Sequence, residues 1–166
     1  MQYKTSYISP LGKITLISDG IYLTHLFIKG QKHRIDVSCI SKKDDLPIFK
    51  ETKDWLDQYF QKQNPITQIN LKAEGTPFQK QVWEELQQIP YGKITTYKEI
   101  AMRIAKKNGR KSMSCQAVGH AIGLNPISIL IPCHRVLGTN HTLTGYNGGI
   151  KKKEQLLKIE GINLDK

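Results

Sequence analysis

The fold of the C-terminal half is decided by residues 96–124, whose sequence is TYKEIAMRIAKKNGRKSMSCQAVGHAIGL. Thr96 and Glu99 fit the capping-box pattern that starts a helix, and the apolar spacing continues that helix to about Ala105. A basic turn, Lys-Lys-Asn-Gly-Arg-Lys, then interrupts the pattern. Glycine permits the sharp change of direction that such a turn needs, so one long helix is not expected here.

A second short helix is predicted after this turn. Ser112 or Ser114 can act as its N-cap, and it should end near Leu124, before Asn125-Pro126. Two short helices joined by a glycine-containing turn indicate a helix-turn-helix. The turn is longer than the usual length of about three or four residues, and the pattern fits a plain helical hairpin equally well.

The second helix is rich in small residues, among them Ala117 and Gly119. Small side chains let a backbone approach a partner closely. That partner is either another helix of the same protein or a nucleic acid. In the second case Arg110 and Lys111, which precede the helix, are placed to contact phosphates.

Further elements flank the helix-turn-helix. Before it, Thr76 and Pro77 fit the N-cap and first residue of another helix. After it, the apolar run 127–131 is predicted to be a buried β segment. A turn or hairpin then leads into a last helix over residues 150–160.

The N-terminal half has a different pattern. Stretches rich in Ile, Tyr, Leu and Thr alternate with turn sequences, which is typical of β-hairpins. The strands are predicted over residues 3–9, 13–18 and 22–28, and a helix over 48–61. We therefore expect an α/β (α+β) protein with an N-terminal structural domain over 1–72 and a C-terminal, mainly helical domain over 73–166.

Composition narrows the class of protein. The 166 residues include 25 Lys and Arg against 14 Asp and Glu, a net charge of +11, and a basic surface attracts polyanions such as nucleic acid. Lys-rich surfaces are common, so charge alone does not establish nucleic-acid binding. No apolar run approaches the ~20 residues of a membrane span, and no signal peptide is evident. We expect a cytoplasmic protein without membrane association.

Cysteine usage points to one candidate nucleophile. The three cysteines are Cys39, Cys115 and Cys133. Their odd number and lack of CxxC spacing argue against a disulfide framework or a zinc site. Cys133 follows Pro132 at the end of the apolar run, and the neighbouring His134 and Arg135 are expected to lower the pKa of its thiol.

His134 is the candidate base for this thiol. Adjacent residues of an extended chain point to opposite sides, so His134 need not touch Cys133 directly and could act through a water instead. A base of this kind is usually oriented by a carboxylate, for which Glu154 and Glu160 are both candidates by spacing.

Residues 131–136, Ile-Pro-Cys-His-Arg-Val, resemble the active-site motif of the O6-alkylguanine-DNA alkyltransferases, also called methylated-DNA–protein-cysteine methyltransferases. The resemblance continues in the right order through most of residues 75–161. Its other motifs are Gly75-Thr76-Pro77-Phe78-Gln79, Ile89-Pro90-Tyr91-Gly92, Thr96-Tyr97, Ala117-Val118-Gly119, Asn125-Pro126, Gly145-Tyr146, Gly148-Gly149, Lys153-Glu154 and Leu156-Leu157. The N-terminal half resembles the family only in its general pattern and contains no specific motif.

This resemblance implies a fold and an activity. The N-terminal domain would be ribonuclease-H-like, and the C-terminal domain would contain a winged helix-turn-helix. The protein would repair duplex DNA by flipping out O6-alkylguanine and transferring the alkyl group irreversibly to Cys133, once per molecule. O4-alkylthymine is left open as a second substrate. Double-stranded DNA would be the partner, and no cofactor or metal is expected. Independently of the resemblance, a monomer is expected because the sequence shows no self-complementary apolar patch.

The resemblance also assigns catalytic roles. The implied catalytic residues are Cys133, His134, Glu160, Tyr97 and Asn125. Cys133 would accept the alkyl group, and His134, held by Glu160 rather than Glu154, would relay the thiol proton through a water. Tyr97 would hydrogen-bond the flipped guanine, and Asn125 would brace the hinge between the recognition helix and the active-site segment.

Binding residues follow from the same resemblance. The implied substrate-binding residues are Val136, Tyr146, Gly148 and Gly149. The implied DNA-binding residues are Arg110, Lys111, Ser114, Gln116, Ala117, Gly119 and Arg135. The helix-turn-helix is expected in the minor groove. Gln116 stands where the family often has Arg, which predicts flipping with a weaker hold on the orphaned base.

Three other functions are compatible with parts of the sequence. A lesion-recognition module without chemistry would lack the acceptor Cys133. A DNA-binding regulator would use only the helix-turn-helix and would bind undamaged DNA sequence-specifically. A cysteine hydrolase would use Cys133 and His134 with multiple turnovers and would need an oxyanion hole, of which the sequence shows no sign.

Overall fold

The computed structural model describes residues 1–31, 35–66, 68–143, 146 and 149–164. The chain forms two compact units. One comprises Met1–Glu74 and Pro126–Ser128, and the other comprises Gly75–Asn125 and Ile129–Lys166. A mixed fold with a sheet in the first unit and helices in the second confirms the predicted fold class.

The first unit contains a four-stranded sheet. Its strands are β1 (Tyr3–Ser9), β2 (Gly12–Ser18), β3 (Leu23–Ile28) and β4 (Ser41–Lys42), in the spatial order β3-β2-β1-β4. β1, β2 and β3 form antiparallel hairpins, whereas the short β4 pairs with β1 in parallel. Gly12 has a φ of 109°, a left-handed conformation that suits glycine in the tight turn between β1 and β2. The three strands predicted from the sequence are confirmed.

Helix α1 (Pro47–Phe60) belongs to the same unit. Its buried side chains include Phe49, Leu56 and Tyr59, and the rings of Trp55 and Tyr59 stack with centroids 5.2 Å apart. These apolar residues recur at helical spacing and form one face, which supplies the core together with the sheet.

The second unit is mainly helical. Its helices are α2 (Pro77–Gln87), α3 (Tyr97–Lys107), α4 (Cys115–Gly123) and α5 (Ile150–Ile159). Two short strands, β5 (Thr95–Thr96) and β6 (Val136–Leu137), pair in parallel. None of the helices in the described parts of the chain combines the length and the apolar character needed to cross a bilayer.

The helix starts follow from capping side chains. Thr76 and Gln79 form a complete capping box, in which each side chain accepts a hydrogen bond from the other residue's backbone N–H. Thr96 caps α3 by accepting from the backbone of Glu99, but the Glu99 carboxylate accepts a hydrogen bond from Thr95 instead of completing the box. Ser114, one of the two predicted caps, caps α4.

Packing around Trp83 joins α2 to α4. The indole Nε1 donates to the carbonyl of Ala121 over 2.9 Å, so this buried donor is satisfied. Two residues further along α2, the buried carboxylate of Glu85 pairs with Lys107 of α3 over 2.8 Å. α3 and α4 therefore form the predicted helix-turn-helix on a fixed base provided by α2.

The prediction of a β segment over residues 127–131 is wrong. Ile127 forms one isolated parallel bridge with Leu26, and Ser128 donates to the Leu26 carbonyl, both within the first unit. Ile129 has a φ of 71°, which a strand does not allow. All five residues are buried, so the apolar pattern predicted burial correctly but not the conformation.

Candidate active site

Cys133 begins a 3-10 turn over Cys133–Arg135, directly after Pro132. The turn replaces the extended conformation expected from the sequence. Three residues per turn place consecutive side chains about 120° apart, so Cys133 and His134 leave the backbone in different directions. Cys133 is only 4% exposed, whereas Cys39 and Cys115 are exposed. The candidate nucleophile is therefore the one thiol withheld from solvent.

The surroundings of Cys133 decide its protonation state. Burial raises the pKa of the thiol, against the opposing effects of an Asn125 hydrogen bond, the charge of Lys153 and a Tyr146 hydrogen bond. The net shift is upward, so the resting thiol is neutral and needs a base before it can act as a nucleophile. The sequence-based expectation of a lowered pKa is wrong, because the effect of burial exceeds that of the nearby charge.

Asn125 fixes the segment that leads to Cys133. Its Nδ2 donates to the carbonyl of Ile131 over 2.8 Å, and its side chain is buried. Asn125 directly follows Leu124, the C-cap of α4. The amide therefore ties the end of α4 to the residues immediately before the thiol.

His134 is paired with Glu160, as the family resemblance implied. His134 Nε2 lies 2.5 Å from Glu160 Oε2, and neither side chain is exposed. Burial alone would raise the pKa of Glu160, but hydrogen bonds and charges from His134 and Arg135 lower it to about 2. The ionised carboxylate can only accept, so Nε2 carries the proton and Nδ1 of the neutral ring is an acceptor.

Burial also lowers the pKa of His134, despite the opposing hydrogen bond and charge of Glu160. The imidazole is therefore neutral at pH 7, the form that can take up a proton. Glu154, the alternative carboxylate, is not part of this arrangement: it pairs with Lys158 on the same helix over 3.4 Å.

Arg135 is buried within the second unit rather than displayed on its surface. Its Nε donates to Glu160 Oε1 over 2.7 Å, and its Nη1 donates to the carbonyl of Ile89 over 2.7 Å. The guanidinium carbon lies 5.8 Å from the centroid of the Tyr91 ring. This placement does not fit the DNA contact that was predicted for Arg135.

Lys153 of α5 is fully buried in the same region. Its Nζ lies 5.8 Å from the centroid of the Tyr97 ring. Burial lowers the pKa of Lys153 to about 8, and a thiolate at Cys133 opposes this shift. A cation in this position favours the thiolate over the thiol and stabilises negative charge near Tyr97.

Family models match nearly the whole chain. The ribonuclease-like domain of 6-O-methylguanine DNA methyltransferase matches residues 2–73, and the DNA binding domain of the same protein matches residues 77–162. The chain belongs to the 6-O-methylguanine DNA methyltransferase family. This confirms the resemblance that was based on the motifs around Cys133.

Comparisons with individual relatives support the same family assignment for this methyltransferase-family chain. The methylated-DNA–protein-cysteine methyltransferase of Haemophilus influenzae is 42% identical over 96% of this chain and 87% of its own length. The protein of that name from Methanosarcina barkeri is 44% identical over 94% of this chain and 95% of its own. The crystal structure of Mycobacterium tuberculosis OGT in complex with DNA matches 95% of this chain and 92% of that one, with 37% identity and a TM-score of 0.84.

The residues that were predicted to contact DNA in this methyltransferase-family chain fall mostly on one surface. Those that are exposed around the start of α4 are Arg110, Lys111, Ser114, Gln116 and Ala117. Gly119 is half-buried, and a Cβ there would lie 3.8 Å from the Tyr97 ring. That distance is an ordinary van der Waals contact, so Gly119 and Tyr97 are direct neighbours. Arg135 is the exception in the predicted set.

The predicted substrate-binding residues are only partly described. Val136 is buried in β6, and Tyr146 is half-buried and reaches the Cys133 thiol. Gly149, with a φ of 100°, is the N-cap of α5. Gly148 lies outside the described residues.

Sequence reasoning missed the functional position of Lys153. It was quoted only as part of a motif, next to Glu154, and three consecutive lysines at 151–153 look like a solvated helix face. The signal that could have found it is helical spacing. Lys153 lies three and four residues before the buried Leu156 and Leu157, on the apolar face of α5.

Proposed function

We propose that this protein repairs DNA by direct reversal, transferring a methyl or other alkyl group from the O6 atom of guanine in duplex DNA irreversibly to Cys133. One observation carries the proposal. A buried thiol is followed in the chain by a neutral histidine whose ring is held by an ionised carboxylate. This is the arrangement of a nucleophile, a base and an orienting group.

The chemistry begins with removal of the thiol proton. His134 Nδ1 accepts it through a water, and Glu160 stabilises the imidazolium that forms. The Cys133 sulfur then attacks the alkyl carbon, so that an S–C bond forms as the C–O6 bond breaks. The electron pair of the broken bond goes to guanine, which takes up a proton in turn. The product is a thioether, which has no simple reductive route back, so each molecule reacts once.

Guanine leaves more readily when its developing negative charge is stabilised. Tyr97 hydrogen-bonds the flipped base, and the positive charge of Lys153 lies near the Tyr97 ring. Preorganised donors and charges of this kind are worth more in a site without water than they are in solution. Of the predicted substrate-binding residues that the structure describes, Val136, Tyr146 and Gly149 line the space for the base and its alkyl group.

DNA is bound through α4 in the minor groove. Ala117 and Gly119 permit a close approach of the backbone, and Arg110 and Lys111 contact phosphates. Gln116 fills the gap left by the flipped base. The exposed positions of Arg110, Lys111, Gln116 and Ala117 support this arrangement.

The two halves of the chain have different roles. Residues 1–72 are a structural domain, and residues 73–166 bind DNA and accept the alkyl group. The protein acts as a monomer without a cofactor, and it acts in the cytoplasm, where a reducing environment keeps Cys133 as a thiol.

The proposal is tested by titrating a duplex that carries one O6-methylguanine with increasing amounts of protein and measuring the remaining lesion. We expect one lesion to be removed per protein molecule and no further turnover. Cys133→Ser should remove none, whereas Cys39→Ser, which changes an exposed thiol of the first unit, should behave like the wild type. Lesion removal by Cys133→Ser, or several lesions removed per molecule, would refute the proposal.

A further inference from the structure

Among the residues that the structure describes, a histidine, an arginine and a backbone N–H hold the carboxylate of Glu160. His134 Nε2 contacts Oε2, whereas Arg135 Nε, over 2.7 Å, and the backbone N–H of Gly92, over 3.1 Å, both donate to Oε1. We call His134, Arg135, Glu160 and the Gly92 N–H the carboxylate cluster. All of its members lie in the second unit, and its three side chains are buried.

Arg135 is itself fixed on several sides. Besides Glu160, it bonds the Ile89 carbonyl, and its guanidinium lies near the ring of Tyr91. The Tyr91 hydroxyl donates to the carbonyl of Ile159, the residue before Glu160. The planar guanidinium therefore connects the chain at Ile89 and Tyr91 to the end of α5. A lysine cannot reproduce this geometry, because its ammonium lacks the rigid fork of donors.

We propose that Arg135 is a positioning residue for alkyl transfer: it fixes the carboxylate that orients His134, and it makes no contact with DNA. The proposal rests on the alkyl transfer put forward above. It assigns to Arg135 a role different from the DNA binding that the family resemblance implied for it. Two consequences follow, one for the dependence on pH and one for DNA affinity.

The dependence on pH has a defined direction. In the described part of the chain, the charged and titratable groups that face the His134–Glu160 pair are Arg135, Lys153 and the phenol of Tyr91, whose pKa is raised by burial and by Glu160. Arg135 lowers the pKa of both Glu160 and His134. Without its charge, both pKa values rise and the pair takes up a proton at a higher pH. A protonated pair cannot act as a base, so activity is lost at a higher pH than in the wild type.

The experiment compares Arg135→Gln, Arg135→Lys and the wild type. Single-turnover methyl transfer is measured at saturating duplex containing O6-methylguanine over a range of pH, and duplex affinity is measured at several salt concentrations. Lys158→Gln is the matched control, because it removes a basic partner of a glutamate on α5 from an exposed ion pair. Arg110→Gln is the reference for a phosphate contact and should reduce the salt dependence of binding by about one charge.

We expect Arg135→Gln to bind duplex with wild-type affinity and salt dependence but to transfer methyl at least about tenfold more slowly at pH 7, since a general base contributes about 10²- to 10⁴-fold. The acidic limb of its pH–rate profile should move to higher pH. Arg135→Lys should have an acidic limb close to that of the wild type but a lower rate of methyl transfer, because lysine keeps the positive charge but lacks the rigid fork of guanidinium donors. A purely structural role would not move the acidic limb.

Two results would overturn the proposal. One is a loss of affinity and salt dependence like that of Arg110→Gln, with a normal rate at saturation. The other is a pH–rate profile identical to that of the wild type. If Arg135→Gln does not fold, Arg135→Lys decides instead: slower transfer at saturation with wild-type affinity and salt dependence supports the proposal, and a wild-type rate overturns it. If the wild type itself transfers no methyl group, the proposed function fails. The effect of Arg135 on the carboxylate cluster is then read from the pH dependence of His134 by NMR.

Discussion

Lys153 should make the protein less stable than it would be with an apolar side chain. Its ammonium group is fully buried, and burial lowers its pKa from 10.5 to about 8. This difference means that the charged form is disfavoured by about 3 kcal/mol in the folded protein. We predict that the free energy of unfolding of Lys153→Met at pH 7 is up to about 3 kcal/mol higher than that of the wild type, because methionine keeps a long unbranched side chain without the charge. For a chain of this length the midpoint of thermal unfolding should rise by roughly 6–12 °C.

The sign of the pH dependence makes this prediction specific. Between pH 8 and 10.5 the unfolded wild type binds more protons at Lys153 than the folded protein does, so its stability relative to the variant rises with pH. The gap between the two proteins should therefore be largest at pH 7 and should close towards pH 10.5. The same substitution should slow methyl transfer, because it removes the positive charge near Cys133 and Tyr97.

Urea unfolding at several pH values measures the gap directly. Lys151→Met is the matched control, since Lys151 lies on the same helix but is exposed, and it should change stability by less than about 0.5 kcal/mol. A Lys153→Met protein that is less stable than the wild type at pH 7 would refute the reasoning. So would a gap that does not change with pH.

Three further predictions concern other residues. Glu160→Gln should lower the free energy of unfolding by about 3 kcal/mol at pH 7, because the pKa of Glu160 is lowered from 4.5 to about 2. This contribution is present above pH 4.5 and is lost as the pH falls towards 2, so the urea unfolding curves of the variant and the wild type should converge in acid. Gly75→Ala should lower the free energy of unfolding by about 1–3 kcal/mol, because the added Cβ would lie 2.6 Å from the Trp83 ring. Gly123→Ala is the control: its Cβ would meet open space, so the same assay should show a neutral or stabilising effect. Gln116→Arg should speed single-turnover transfer on duplex DNA by improving the hold on the orphaned base; an unchanged or slower rate would count against the role given to Gln116.

Local sequence signals predicted the elements of the fold well. The strands of the first unit and the helix starts at Thr76, Thr96 and Ser114 depend on turn residues and capping side chains, which act over a few positions. The run 127–131 shows the limit of such signals. Its apolar residues predicted burial, but a strand needs partners, and only Ile127 finds one, in Leu26.

The sequence predicted which residues form the candidate site, but not which hydrogen bonds and ion pairs link them. Motif resemblance named Cys133, His134 and Glu160, and the structure brings His134 and Glu160 into contact. The burial of Arg135 could not be predicted, because its bonds to Ile89 and Glu160 span 46 and 25 residues of sequence. Spacing also could not show that burial would outweigh nearby charge at the Cys133 thiol.

The central claim is that Cys133 accepts the alkyl group from DNA. It is tested most directly by intact-protein mass spectrometry after incubation with a duplex that carries one O6-methylguanine, followed by peptide mapping. The predicted result is a mass increase of one methyl group per chain, located on Cys133, absent in Cys133→Ser and absent with an undamaged duplex. An unmodified protein that still binds the intact lesion, or a methyl group found on Cys39 or Cys115, would contradict the account.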